Sequence, residues 1–429
     1  MRQQILPALQ TVGSVDPHTL ILELPNLSRQ RFEESLLKGG DQEPARLYAH
    51  ELHHWLDIVG SLWGQRYLDL LFSAFDAVLA AKTEDSAYVE VLRLFDADRA
   101  ILFPRYYKYV TPEAPHGAIV PWINRWSAGQ RIKLDGTRSP DDPILFVRIE
   151  TETQIIARQP LSVGALLELR AMAAEEEAFR NALVNLTEEE KVIENAMHDR
   201  YLKQYLYDPE LITYSAAAHV LSTSSGVGSI GPVFALGAAL ADICLSLDRS
   251  MLRNLRPPPL LAEFGHRIIH GFKSGENPGF AYACAVAWLK DNRPAELDAA
   301  CLDRALKGIG LPNALELYRT ADRSFVRRAI PKLQSDRLRN IRTALLEDGL
   351  LAFRSKGASF GILPPARWAN SPSPLVMTGD LEQFHVGKAT ISLEDGEWLD
   401  ECKRKCDLVL RQALRAGRGL DFAFTDYIY

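Results

Sequence analysis

The chain has few cysteines for its length, and the five that it has are scattered over its second half. An odd number of unclustered cysteines in 429 residues does not make a disulfide framework. We therefore expect a protein of a reducing compartment, the cytoplasm. Cys402 and Cys406 lie one helical turn apart, but with no second pair nearby they are expected to be ordinary helix residues.

The sequence also lacks a strong excess of charge and a long apolar run. A net charge of −6 provides no basic surface, so we expect no nucleic-acid partner. The most apolar stretch, Val233 to Leu247, is interrupted by Asp242 and is too short to cross a bilayer. The first residues contain neither the apolar run nor the cleavage site of a secretory signal. We expect no membrane association.

Several secondary-structure elements can be predicted in the first part of the chain. The hydrophobic fraction of 47% and the charged fraction of 24% are typical of soluble globular proteins, and the length suggests two or three domains. His18 to Leu24 predicts a strand, and a helix is expected from Ser28. Pro44 opens a long helical pattern that we expect to end near Gly64, with a second helix from Tyr67 to Ala81.

The remaining patterns favour a mostly helical α+β fold. Phe103 to Pro143 has no sustained period, which predicts a functional loop or a small substructure. Ile144 to Ile149 and Thr153 to Ala157 predict two strands, and helical patterns run from Ser162 nearly to the end. We expect three parts, namely residues 1–160 with a small sheet, a helical part at 161–362, and a C-terminal segment at 363–429.

One motif in the first part is typical of metal chemistry. His50 and His54 are four residues apart on a helical pattern, so both imidazoles lie on one face and could bind zinc. Glu51 projects beside them, where it could take a proton from a metal-bound water. This is the HExxH pattern, inside a strongly amphipathic helix. His53 points away from the pair, and we expect it to take no part.

A catalytic zinc needs a third protein ligand and an open position for water. Asp57 is close to the pair, but on one straight helix it cannot close a tetrahedron, so we expect it next to the site or at the surface. Glu168 is the better candidate, because it interrupts an apolar run and has small neighbours that would let a second helix approach. A carboxylate so placed is costly unless it is paired or metal-bound. Asp57 and Gly60 stand where metzincins have Gly and His, which excludes that class.

The two segments together resemble the gluzincin branch of zinc metallopeptidases. The closer similarity is to bacterial gluzincin-like proteins of mostly unassigned substrate, which pair a segment like AHELHHWL with a distant helix like VGALLELRA. The resemblance implies a zincin-like core, Zn²⁺ held by His50, His54 and Glu168, and Glu51 as general base. Many gluzincins have an Asp four residues after the ligand glutamate, and this chain has Met172. The partner of the zinc-bound histidine is therefore not identified.

Two other patterns compete with this interpretation. Glu263, His266 and His270 could share one face of a helix, but no glutamate stands beside the first histidine, so we favour a polar stripe. Gly226 to Gly231 matches GxGxxG, but a dinucleotide fingerprint needs a hydrophobic strand directly before it. We expect a Gly/Ser loop there, followed by a helix that has Pro232 in its first turn.

The leading hypothesis is a cytoplasmic zinc-dependent metallopeptidase that acts on a peptide or protein of unknown identity. Tyr214 and His219 follow the Glu168 helix in a mostly apolar segment, and either could stabilise the oxyanion of a tetrahedral intermediate. One alternative is a zincin-like interaction or structural protein without catalysis. A weaker alternative is a nucleotide-binding helical protein that uses Gly226 to Gly231.

Overall fold

The structure is a computed structural model that describes most of the chain. It covers residues 13–415 with the exception of 39–41, 82–83, 133–136 and positions 103, 105, 106, 113, 116, 118, 119, 121, 185 and 359. The N-terminal residues that we searched for a signal lie mostly outside the described residues.

The predicted α+β class is confirmed, because 63% of the structure is helical and 13% is strand. In chain order the α-helices of the described part are α1 (Arg29–Lys38), α2 (Glu43–Val59), α3 (Leu62–Ala80), α4 (Glu84–Ala97), α5 (Val163–Leu183), α6 (Glu188–Leu206), α7 (Ile212–Ser225), α8 (Ile230–Leu245), α9 (Arg249–Arg253), α10 (Pro259–Ala262), α11 (His266–Ser274), α12 (Pro278–Asp291), α13 (Ala299–Gly308), α14 (Ala314–Val326), α15 (Asp336–Lys356) and α16 (Leu393–Arg415).

The strands form three small sheets. They are β1 (Ser14–Val15), β2 (Ile21–Leu24), β3 (Tyr109–Val110), β4 (Ile123–Ile132), β5 (Arg138–Glu150), β6 (Ile155–Pro160), β7 (Pro372–Ser373), β8 (Leu375–Thr378), β9 (Gln383–Phe384) and β10 (Lys388–Ala389). One sheet has the order β1-β2-β8-β9, another the order β3-β6-β5-β4, and β10 pairs with β7. Strand β2, near the start of the chain, is parallel to β8, near its end, so contacts join the first and last predicted parts. The division into three folding units stays a prediction.

The long helical pattern opened by Pro44 is divided into two helices. Helix α2 ends at Val59 and is followed by Gly60, and the Ser61 side chain accepts a hydrogen bond from the Gly64 backbone N–H at the start of α3. The predicted end near Gly64 is therefore wrong. Gly64 is a packing residue instead, because a Cβ atom there would lie 2.0 Å from the Ile58 carbonyl oxygen.

The predicted strands exist, but β2 is shorter than predicted, β5 is longer and β6 is shifted, and one long strand was not predicted. Strand β4 lies within the stretch that we expected to form a loop or small substructure, and it pairs with β5 along its whole length. Its residues are half-buried or exposed on both faces. Hence it does not show the alternation of apolar and polar residues that identifies a strand from sequence.

Helix α2 lies at the centre of the fold. It contacts α1, α3, α5 and α15 as well as strands β1 and β2, and its apolar residues belong to one continuous hydrophobic core. This environment explains why α2 is buried over most of its circumference. A helix so enclosed can hold polar side chains only where they have partners.

The five cysteines are buried and unpaired, which agrees with the expectation that they form no disulfide framework. Among the described residues, no single helix is long and apolar enough to cross a membrane. Helices α7 and α8 reach such a length and hydropathy only together, and they meet at a bend of 108°.

The tight crossing of α15 over the junction between α2 and α3 can be tested at Gly349. A Cβ atom there would lie 2.1 Å from the Val59 carbonyl oxygen and 2.6 Å from Gln65 Nε2. Because the backbone would have to move, we expect Gly349→Ala to lower the free energy of unfolding by about 1–3 kcal/mol in urea titrations.

Gly228→Ala is the matched control, since an added Cβ at Gly228 meets no atom within 4 Å. We expect this change to alter stability by less than about 0.5 kcal/mol. Equal stability of the Gly349→Ala variant and the wild type would contradict the close crossing.

Candidate metal centre

The predicted histidine pair lies on the face of α2 that is turned toward α5. The ring centroids of His50 and His54 are 4.9 Å apart, because residues one helical turn apart share a face. His50 is buried and His54 is half-buried.

Glu168 on α5 reaches both imidazoles, as we predicted. Its Oε2 atom lies 3.4 Å from His50 Nε2 and 3.4 Å from His54 Nε2. Candidate ligand atoms of the three side chains all lie within 4.8 Å of one another. Although 113 residues separate His54 from Glu168 in sequence, α2 and α5 pack directly against each other.

The three side chains fit a zinc ion in chemistry and in spacing. Two ligand atoms each about 2.1 Å from a tetrahedral zinc are about 3.4 Å apart. The Glu168 Oε2 atom is buried and has no hydrogen-bond partner, although it faces two imidazole nitrogens. Two imidazoles and one carboxylate are a common set of protein ligands at a catalytic zinc.

Electrostatics at the centre favour a cation. Burial raises the pKa of Glu168, but attraction to His54 and the close approach of both imidazoles outweigh burial and lower that pKa to about 2. Burial lowers the pKa of His50, yet its contacts with Glu168 and Glu175 raise that pKa well above the usual value. The carboxylates thus stabilise positive charge between these side chains.

Glu51 lies in the same buried region. Burial raises the pKa of its carboxyl group, against the attraction of His50 and His54. The carboxylate interacts with the backbone of Val15 in β1, and a Cβ atom at Gly13 would lie 3.1 Å from its Cγ atom. Close packing of the chain around β1 therefore holds the Glu51 side chain.

A carboxylate that the sequence did not predict contacts the outer nitrogen of His50. Glu175, two turns after Glu168 on α5, places Oε2 3.5 Å from His50 Nδ1. Its other oxygen lies 3.1 Å from an Arg46 guanidinium nitrogen. A carboxylate in this position orients a metal-binding histidine and increases its basicity. Glu175 therefore supplies a carboxylate beside His50, which Met172 cannot do.

Both ring nitrogens of His53 contact backbone groups. Its Nδ1 atom lies 2.7 Å from the Ala49 carbonyl oxygen, and its Nε2 atom accepts a hydrogen bond of 2.9 Å from the Leu363 backbone N–H. Burial lowers the pKa of this ring to about 3, so the ring is neutral. His53 is thus a core residue that ties α2 to the segment after α15.

Asp57 is a fully buried partner of α5, which corrects the alternative of a surface position. Its carboxylate forms an ion pair with Arg170, and Arg170 also lies 3.0 Å from Asp242 on α8. Lys356 on α15 completes this buried charge cluster at 2.6 Å from Asp242. The cluster fixes α2 and α5 to each other close to the metal centre.

The two predicted oxyanion stabilisers lie in different surroundings. The Tyr214 ring centroid is 6.1 Å from that of His50, which brings Tyr214 next to the metal centre. His219 Nε2 lies 2.7 Å from the Leu206 carbonyl oxygen, and its ring contacts Trp122 and Tyr207. The contacts described for His219 thus include no metal-centre residue, and both roles stay predictions.

The competing patterns do not form comparable centres. Glu263 follows the end of α10, Gly265 has a φ of +84°, and α11 begins at His266, so the predicted single helix is wrong. The stretch from Gly226 directly follows helix α7 rather than a strand, and Gly226 ends that helix with a φ of +77°. The predicted loop and the helix with Pro232 in its first turn are confirmed.

Comparison of the chain with protein-family models, with curated proteins and with solved structures gave no match. The resemblance to gluzincins therefore depends on the two segments that carry the histidines and Glu168.

The role of Glu175 can be measured through zinc affinity. Glu175→Gln removes the charge that faces His50 Nδ1, and we expect zinc affinity to fall about 10–100-fold while the protein stays folded. Chelator competition measures the affinity, and circular dichroism monitors the fold.

Glu177→Gln is the matched control, because the Glu177 side chain is 42% exposed on the same helix. It should bind zinc as the wild type does. If Glu175→Gln also bound zinc with unchanged affinity, Glu175 would not support the centre.

Proposed function

We propose that this protein is a zinc-dependent hydrolase, and in particular a metallopeptidase of the gluzincin type. The observation that carries the proposal is the convergence of Glu168 on both imidazoles of the HExxH helix. Nothing in the local sequence requires this meeting, since the two helices are far apart along the chain. A buried carboxylate oxygen with no hydrogen-bond partner beside two imidazole nitrogens is best explained by a metal ion.

The proposed mechanism assigns a task to each side chain of the chain itself. His50, His54 and Glu168 would hold the ion, which when bound lowers the pKa of a coordinated water and polarises a carbonyl group. Glu51 would be the proton acceptor for the attacking water and would return that proton to the leaving nitrogen. Glu175 keeps His50 oriented through its Nδ1 atom.

Tyr214 is the favoured partner for the developing oxyanion. Its ring is next to His50, and a tyrosine hydroxyl is a suitable hydrogen-bond donor for such a charge. We assign His219 the second rank, because its Nε2 atom is engaged with the Leu206 carbonyl oxygen.

The main alternative is a zincin-like protein that uses the metal only for structure. A structural zinc site is closed by a fourth protein ligand, whereas a catalytic site keeps one position for water. Within the described part of the chain, no fourth His, Cys, Asp or Glu joins the group of His50, His54 and Glu168. This favours catalysis. Nucleotide binding at Gly226 to Gly231 is disfavoured, because a helix precedes the glycines.

We also propose a cytoplasmic location and a peptide or protein substrate. Unpaired cysteines are typical of a reducing compartment, and all five cysteines here are unpaired. The substrate class follows from the HExxH chemistry, in which a base and a metal cooperate on a carbonyl group.

Glu51→Gln separates metal binding from catalysis. The amide has nearly the same volume as the carboxylate but cannot accept the proton. We expect this variant to retain about one zinc per chain and to lose about 10²–10⁴-fold in peptide hydrolysis. Metal analysis and a peptide-library cleavage assay on the same samples measure the two properties.

His54→Ala should lose both the zinc and the hydrolysis, and Glu263→Gln, an exposed glutamate outside the centre, should retain both. Hydrolysis at the wild-type rate in Glu51→Gln would exclude Glu51 as the general base. Bound zinc with no hydrolysis in the wild type would favour the structural alternative.

A further inference from the structure

A cavity lies away from the candidate metal centre. Its volume is 560 Å³, within the range of small-molecule sites, and its wall includes residues of α3, β5, α9 and α11 but no residue of the candidate metal centre. Neither the HExxH motif nor the proposed hydrolase mechanism uses this cavity.

Arginine side chains concentrate on one part of its wall. Arg66, Arg249 and Arg328 all line the cavity. The nearby acids are shared, because Asp69 pairs with both Arg328 and Arg342, and Glu276 pairs with both Arg249 and Arg253. The other lining acids have partners of their own, since Glu90 pairs with Arg93 at 2.8 Å and Asp142 accepts a hydrogen bond from Ser139 at 2.5 Å.

Because these acids pair with other arginines, Arg66 has no carboxylate partner among the described residues. Its one hydrogen bond in the described structure is to the Leu247 carbonyl oxygen at 3.4 Å. Burial lowers the pKa of its guanidinium to about 10, helped by the neighbouring Arg328 and Arg249, although Glu276 and Asp248 oppose them. The Arg328 Nε atom is also buried without a hydrogen-bond partner. Positive charge therefore accumulates at this part of the wall, where Arg66 and Arg328 are half-buried.

Another part of the cavity wall is apolar and aromatic. Trp63 and Tyr67 are stacked with ring centroids 5.7 Å apart and an interplanar angle of 18°, and both are buried. Phe272 is also buried at the wall. The cavity thus offers an apolar, partly aromatic region next to the Arg66 guanidinium and the unpaired Nε atom of Arg328. Such a combination suits a ligand that has an apolar body and an anionic group.

We propose that this cavity is a binding site for a small organic anion, whose phosphate or carboxylate group is bound by Arg66 with Arg249 and Arg328. The planar guanidinium donates paired hydrogen bonds that match either group. The site would act as a separate ligand site, whether the metal centre catalyses hydrolysis or only holds a metal.

Calorimetric titration with phenyl phosphate, benzoate and phenol tests this proposal on the full chain. We expect phenyl phosphate or benzoate to bind and phenol to bind at least about tenfold more weakly, because phenol has the ring without the anion. The anion that binds with the higher affinity shows whether the site prefers a phosphate or a carboxylate group. Absence of binding by both anions at millimolar concentration would overturn the proposal.

Arginine-to-methionine variants test whether the anion binds in this cavity. Arg66→Met keeps an apolar stem without the charge, and we expect it to weaken binding of the stronger anion about tenfold or more. Arg249→Met tests the same wall at a side chain that is 65% exposed, so that misfolding would not explain its loss of affinity. Arg200→Met, at an exposed arginine on α6, is the control and should bind as the wild type does. Wild-type affinity in both cavity variants would contradict the assignment.

His50→Ala separates this proposal from the hydrolase function. The variant should lose zinc but bind the anion with unchanged affinity, because the two sites share no described lining residue. Loss of anion binding together with zinc would show that the anion binds at the metal and would overturn the separate site.

Discussion

The buried ion pair between Asp57 and Arg170 joins the two helices on which the metal centre depends. Both side chains are completely buried, and Asp57 follows His54 by three residues while Arg170 follows Glu168 by two. Loss of one partner from such a pair typically costs about 3–5 kcal/mol, because the other charge stays buried and uncompensated. The pair therefore disfavours sliding or rotation of α2 against α5, and the spacing between the imidazoles and Glu168 depends on it.

Other buried groups extend this constraint to distant parts of the chain. Asp242 accepts hydrogen bonds from Lys356 and from the Gly361 backbone N–H, so α8, α15 and the segment after α15 hold the same cluster. His53 adds the backbone N–H of Leu363 from the same segment. Helix α2, which carries the candidate ligands His50 and His54, is thus fixed by partners contributed by four other regions. A preorganised ligand set of this kind reduces the cost of ordering side chains when a metal binds.

The metal centre has more negative than positive charge when the histidines are neutral. Glu51, Glu168 and Glu175 all lie at or beside it, and Arg46 compensates one of them. Contacts with Glu168 and Glu175 raise the pKa of His50 well above its usual value, so these carboxylates favour positive charge on this imidazole. A divalent ion bound at the proposed centre would offset the same negative charge.

Sequence patterns predicted the parts of the centre that depend on local periodicity. The spacing of His50 and His54 required only one helix, and Glu168 was recognisable because it interrupts an apolar run. Glu175 could not be recognised from the sequence, because it is the first of three consecutive glutamates. Only the packing of α5 on α2 distinguishes Glu175 from Glu177. The burial of Asp57 depends on Arg170, which lies 113 positions away, so no local pattern could indicate it.

Local sequence patterns were equally limited for parts of the fold and for the arginine-lined cavity. The helical class followed from the long periodic stretches, whereas strand β4 was missed because both of its faces are partly exposed. The boundary at Gly60 and Ser61 was missed because Gly64 resembles a helix terminator but serves a close contact. Arg66 stands in an ordinary amphipathic helix, and its lack of a carboxylate partner results from how Asp69 and Glu276 are shared.

X-ray absorption at the zinc edge, on protein loaded with one equivalent of zinc, tests the metal centre most directly. The proposed ligands predict a first shell of nitrogen and oxygen atoms only, at about 2.0–2.1 Å, with the outer-shell scattering of two imidazole rings. A sulfur neighbour at about 2.3 Å would contradict the proposal, because it would bring the zinc to a cysteine. A shell with no imidazole scattering would contradict it equally, because His50 and His54 would then not bind the ion.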